Sequence, residues 1–179
     1  MGRILKAAVL SVLLAAGWPQ GRGFAASTYR ACSLLTTAEV EAALRGRVTG
    51  SNERDAVVST GPYRGETISG CTWIVGSAYL SVSVVRRKPA GEPEQAAAVR
   101  TLRRALDDLR RKRWTIAPAD VAGAECHVAQ PPARDRRVGP VVACFMERRG
   151  FAFGLYAVRT RLAAEQVKAL GDLVAGRLP

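Results

Sequence analysis

Four cysteines limit how this chain can fold more than any other residues do. They stand at Cys32, Cys71, Cys126 and Cys144. An even count in an exported chain predicts two disulfides, each holding two distant points of the backbone together. Four cysteines allow three pairings. The segment between the last two, Pro131 to Arg137, is polar, and the midpoint of positions 126 and 144 falls on Asp135. If the flanks form a hairpin about that midpoint, Cys126 and Cys144 face each other across two strands. That leaves Cys32 with Cys71. Metal binding is the weaker use of these thiols. The chain has no Cys-x-x-Cys and one histidine, His127, so neither a metal nor a cofactor is expected.

Disulfides need an oxidising compartment, and the N-terminus carries the matching signal. Arg3 and Lys6 precede an uncharged apolar run, Ala7 to Ala16, and the small residues Gly23, Ala25 and Ala26 follow. This pattern predicts a signal peptide over residues 1–26 and a single domain over 27–179. The run is shorter than the roughly 20 residues that span a bilayer, so no membrane segment is expected after cleavage. Leu13 to Gly17 looks like the start of a lipoprotein box, but Trp18 stands where the lipid-accepting cysteine belongs. The full chain carries 27 Lys and Arg against 15 Asp and Glu, a net charge of +12. Removing Arg3, Lys6 and Arg22 with the signal takes away three positive charges and no acid. The expected location is the periplasm or the medium.

The rest of the chain reads as alternating helices and hairpins. Thr36 and Glu39 form a capping box, and Leu35 with Val40 makes the apolar staple of a helix that Gly46 is placed to stop. Residues 49–70 are polar, with one short strand expected at Ala56–Ser59. Cys71–Val75 and Ala78–Val85 predict a hairpin turning at Gly76-Ser77, with Leu80, Val82 and Val84 alternating against Ser81 and Ser83. Glu94–Arg113 predicts the strongest helix, with Ala98, Val99, Leu102, Ala105, Leu106 and Leu109 on one stripe. Residues 124–130 and 138–148 form the second hairpin, and Phe151–Val158 continues its sheet. Leu162–Leu178 closes the chain as a helix with Val167, Leu170, Leu173 and Val174 inward. The expected fold is α+β. It has one antiparallel sheet of about five to six strands, two to three helices packed on one face, and two disulfides.

Two short motifs carry a resemblance. Cys32-Ser33-Leu34-Leu35-Thr36-Thr37-Ala38-Glu39-Val40 and the later Cys71-Thr72-Trp73 resemble those of secreted domains of unknown function found largely in actinobacterial lipoproteins. These domains are similar in outline to the extracellular sensor domains of some mycobacterial serine/threonine kinases. The resemblance implies a Cys32–Cys71 disulfide and an antiparallel sheet with helices. It implies no established activity and no catalytic residues.

No residue set points to catalysis. His127 lies next to Cys126, has no Gly-x-Ser-x-Gly motif to serve, and is expected to point outward as a surface residue. Glu39 reads as a cap. Asp107 and Asp108 are expected to pair at i,i+4 with Arg103, Arg104, Arg111 and Lys112 on a solvated face. Trp73 is expected to pack beside a disulfide, and Trp114 to plug the end of the long helix. The most suggestive surface is basic: Arg103, Arg104, Arg111, Arg134, Arg136 and Arg137 are the candidate contacts for an anionic partner. With no interleaved aromatics, specific nucleic-acid recognition is not expected. The reading is a monomeric, non-catalytic envelope module that binds or senses an unknown envelope protein or anionic polymer. The alternatives are a secreted inhibitor or accessory protein presenting the 131–137 loop, and behind it a periplasmic hydrolase.

Overall fold

The computed structural model describes residues 30–57, 64–86, 106–148 and 150–179. Seven strands form one antiparallel sheet: β1 (Gly50–Val57), β2 (Thr67–Val75), β3 (Ala78–Arg86), β4 (Thr115–Val121), β5 (Ala124–Gln130), β6 (Val141–Arg148) and β7 (Phe151–Val158). The helices are α1 (Thr37–Leu44), α2 (the described helical residues 106–111) and α3 (Ala164–Arg177). Two 3-10 turns occupy Ala31–Ser33 and Ala133–Val138. The strands lie side by side in the order β1-β2-β3-β7-β6-β5-β4. The sheet is therefore two meanders, β1–β3 and β4–β7, joined where β3 pairs with β7.

The α+β class, the antiparallel sheet and both disulfides match the expectation. The strand count is higher, because β4 was not among the expected strands, and β1 is longer than the short strand expected. β1 begins at Gly50, well before the expected Ala56, and it is mostly polar and solvent-facing. β4 contains Pro118, and no element is expected over its residues. An edge strand tolerates proline, since one side of its backbone has no partner to lose. The signal peptide, Val58-Ser59 and residues 94–105 of the predicted long helix, with Arg103 and Arg104, lie outside the described residues.

Alternation along each strand sorts side chains onto two faces. Leu80, Val82 and Val84 of β3 stand level with Ala157, Leu155 and Phe153 of β7. All six are buried under α1 and α3. Each buried Val, Leu or Phe here contributes about 1.5–3 kcal/mol. From α3, Val167, Leu170 and Val174 join this core, whereas Leu173, expected inward, is 43% exposed. It sits one residue short of the buried stripe and flanks it. Trp73 packs in the same core as Cys71. On the opposite face, Leu109 of α2 and the following Trp114 cluster with Ala129, Val141 and Val158. Trp114 thus closes the end of α2, as its position predicts.

The local signals of the first half fold as written. The Thr36 hydroxyl accepts from the Glu39 N–H at 3.2 Å, and the Glu39 carboxylate accepts from the Thr36 N–H at 2.8 Å. Gly46 has a different job from the stop assigned to it. The left-handed residue that ends α1 is Arg45, at φ 52°. Gly46 lies one position on, where an added Cβ would come within 2.6 Å of Val75 Cγ1. It is small so that the helix end can rest on β2. The hairpin glycine behaves as expected: Gly76 opens the β2–β3 turn at φ 58°, and Val75 pairs with Ala78.

Candidate binding surface

The two disulfides set the frame. Cys126 and Cys144 stand directly opposite in β5 and β6, with Cα atoms 4.1 Å apart. Cys32 bonds Cys71 at a Cα distance of 5.0 Å, pinning the first 3-10 turn to β2. That turn also explains a charge on the polar edge strand. Glu53 of β1 accepts from the Cys32 N–H at 3.0 Å and from Arg30 Nε at 3.0 Å.

The Cys126–Cys144 bridge holds the base of the basic loop. At its far side the chain forms the 3-10 turn Ala133–Val138, entered through Pro131-Pro132, with Arg134, Arg136 and Arg137 all exposed. Arg134 Nη2 donates to the Lys112 carbonyl at 3.4 Å, bringing this turn against the end of α2. Arg159, just past β7, donates its N–H to the Pro140 carbonyl at 2.9 Å and its Nε to the Val138 carbonyl at 2.9 Å. It is also near enough to Tyr79 to oppose the upward push that burial gives that hydroxyl. The structure thus sets the turn of Arg134, Arg136 and Arg137 against the end of α2 with Arg111, Lys112 and Arg113, and adds Arg159, which sequence reasoning missed.

The acids of α2 are arranged differently from expectation. Asp107 pairs with Arg110 at 2.9 Å, and Asp108 pairs with Arg111. Both are i,i+3 pairs. A three-residue step also brings side chains together on a helix, and it fits the last turn before the chain leaves α2.

His127 does point away from Cys126, but it is not an open surface residue: its side chain is 12% exposed. Its Nε2 lies 3.3 Å from Glu125 Oε1, and its Nδ1 is buried without a hydrogen-bond partner among the described residues. Its strand neighbours across the ladder are Pro118 and Ala143, neither of which is a nucleophile. Further along that face, Thr72 Oγ1 and Ser81 Oγ meet at 2.6 Å, and Tyr156 is buried, which pushes its hydroxyl far up. Among the described residues no three His, Cys, Asp or Glu side chains gather as metal ligands.

Glu39 has a partner that the capping box did not foretell. Arg177, at the end of α3, donates to both its carboxylate oxygens at 2.7 and 2.6 Å and to the Leu34 carbonyl at 2.8 Å. The Arg177 guanidinium, with the Thr36 backbone N–H, holds the Glu39 carboxyl at about 2, below its ordinary 4.5. This is a structural lock between the first and last helices. Beside it a shallow apolar groove of about 340 Å³ is lined by Ala43, Leu162, Leu170 and Leu173.

These features define a disulfide-stapled α+β module in which, among the described residues, exposed cations gather about the second 3-10 turn and the end of α2. No protein-family model and no curated protein sequence matches the chain. Among solved structures, it is similar to the extracellular domain of PknH from Mycobacterium tuberculosis. The TM-score is 0.58 at 10% identity, covering 85% of this chain and 96% of that one. The likeness is one of fold. It agrees with the outline that the two cysteine motifs suggested. No helix of the described residues is long and apolar enough to cross a membrane.

Proposed function

We propose that the chain is an exported, non-catalytic module of the cell envelope that binds or senses a partner. In this reading residues 1–26 direct export, and residues 27–179 act outside the cytoplasm as a monomer. The observation that carries it is the pair of disulfides, one in each half of the sheet. Two structural disulfides in a small domain belong to an oxidising compartment. The fold likeness to a kinase's extracellular domain supports the same compartment and a binding role. The partner is an envelope protein or an anionic polymer, engaged through the basic loop at Arg134, Arg136 and Arg137, with Arg111 and, earlier in the sequence, Arg103 and Arg104. A second reading has one observation in its favour. The 131–137 segment leads into the 3-10 turn Ala133–Val138 between two disulfide-bonded strands, as suits an inhibitor or accessory protein that presents a loop.

The test is capture of partners from an envelope extract by the oxidised full chain, repeated at roughly 50 and 500 mM salt, because salt screens surface charge. Partners retained at high salt and lost on scrambling residues 131–137 support the loop as the contact. Capture of nothing at either salt overturns the binding reading, and recovery of the chain from the cytosol in cell fractionation overturns export.

A further inference from the structure

The sheet has two ends, and the strand pairings say which loops share each one. Gly50 pairs with Ile74, Val75 with Ala78, Tyr79 with Val158, Val158 with Val141, Val141 with Ala129, and Gln130 with Thr115. The segment after α1, the segment after α2, the second 3-10 turn and the segment after β7 therefore emerge at one end. Each brings exposed cations to it. Arg45 and Arg47 follow α1, Arg110 to Arg113 end α2, and Arg159 and Arg161 follow β7. The 3-10 turn adds Arg134, Arg136 and Arg137. Of the acids at this end, Asp107, Asp108 and Asp135 each pair with an arginine of their own segment, Glu41 accepts from the Val48 N–H, and Glu165 lies in the first turn of α3. At the other end the described charges are mixed, with Glu66, Asp120, Glu125 and Glu147 beside Arg64, Arg86 and Arg148.

A second observation singles out the same end. Three residues other than glycine have a left-handed backbone among the described residues: Arg45, Arg113 and Arg159, at φ 52°, 65° and 55°. Glycine adopts that conformation without penalty, and a long side chain does not. All three positions close an element, all three lie at the basic end, and all three hold arginine.

We propose that this end of the sheet docks on an anionic membrane surface. The cations are spread across a seven-stranded sheet, roughly 29 Å wide at 4.8 Å per strand spacing. They are exposed and come from four separate segments, so they suit an extended array of anionic headgroups better than one pocketed anion. Trp114, the aromatic residue next to Arg113, is buried, so it offers no platform for stacking bases. The proposal deepens the exported-module reading, which supplies only the side of the membrane that is met. Binding to lipid is a property of the chain itself.

The experiment is co-sedimentation of the oxidised full chain with vesicles of phosphatidylglycerol and phosphatidylcholine in equal parts, against phosphatidylcholine alone. Residues 7–16 contribute a background that every variant shares. Binding to anionic vesicles is expected to exceed that background and to fall with salt. The triple variant Arg134→Gln, Arg136→Gln, Arg137→Gln is expected to bind about a hundredfold more weakly. The double variant Arg45→Gly, Arg113→Gly is expected to bind about twentyfold more weakly while melting at a higher temperature, because glycine relieves the backbone as it removes the charge. Neutralising Arg64, Arg86 and Arg148 at the other end is the control, and it should change little. Equal binding to both vesicles, an equal loss in the control, or stronger binding to a soluble polyphosphate chain would overturn the membrane assignment. Absence of vesicle binding leaves the export reading standing, and a cytosolic location removes export while leaving lipid binding intact.

Discussion

The two halves of the sheet are built to different standards. In the second half, β7 is buried along its whole length, and β6 and α3 close over it. In the first half the outer strand β1 has one buried residue, Ala56, and a run of polar side chains. The disulfides divide in the same way. Cys126–Cys144 joins strands that are already paired, across a separation of 18 residues. Cys32–Cys71 joins a short turn to a strand across 39 residues. The better-packed half thus has the local staple, and the thinner half has the long-range one. The longer covalent loop lies in the half whose strands are less buried.

Removing each bond separately tests that contrast. Cys32→Ala with Cys71→Ala is expected to cost about 4 kcal/mol, and Cys126→Ala with Cys144→Ala about 3 kcal/mol, from the loop entropy each closure removes from the unfolded chain. Denaturant titrations of the two double variants decide the order. Equal losses, or a larger loss in the second half, would break the comparison. Gly46→Ala probes how the thin half is packed. The added Cβ meets a branched valine that has little room to yield, so a loss of about 1–3 kcal/mol is expected in the same titration.

The smallest effect is electrostatic. The Glu39 carboxyl is held at about 2 against an ordinary 4.5. A depressed carboxyl stabilises the fold above its unfolded value, and that stability is lost as pH falls through the folded value. Thermal melts from pH 5 down to about pH 2 should therefore show acid destabilisation that is shallower in Glu39→Gln. Matching slopes in the two proteins would remove Glu39 from the lock between the first and last helices.

How legible these features were depends on how local they are. The Cys126–Cys144 register follows from spacing about a turn, and the Thr36–Glu39 box lies within four residues, so both stood in the sequence. β4 did not, and β1 did so only at its end, because an edge strand needs neither an apolar alternation nor every backbone donor. Asn52, Glu53 and Arg54 of β1 belong to a segment that reads only as polar, and Pro118 interrupts any strand pattern in β4. His127 was expected at the surface because nothing in sequence indicates how well the second face is covered. The basic end was least legible. Arg134, Arg136 and Arg137 stood out as a basic cluster, but Arg45 and Arg159 each read as one charge among many, and only the strand order brings their segments to one place.

That order also governs how the chain reaches its fold. Neighbouring strands within each meander are close in sequence and can zip locally. The pairing of β3 with β7 joins Val82 to Leu155, and neither disulfide spans it. Closing that seam costs chain entropy that no hairpin turn has already reduced. Oxidation can complete each half on its own, but neither bond hastens their meeting. The step that makes one sheet of two is left to the apolar faces of the two central strands.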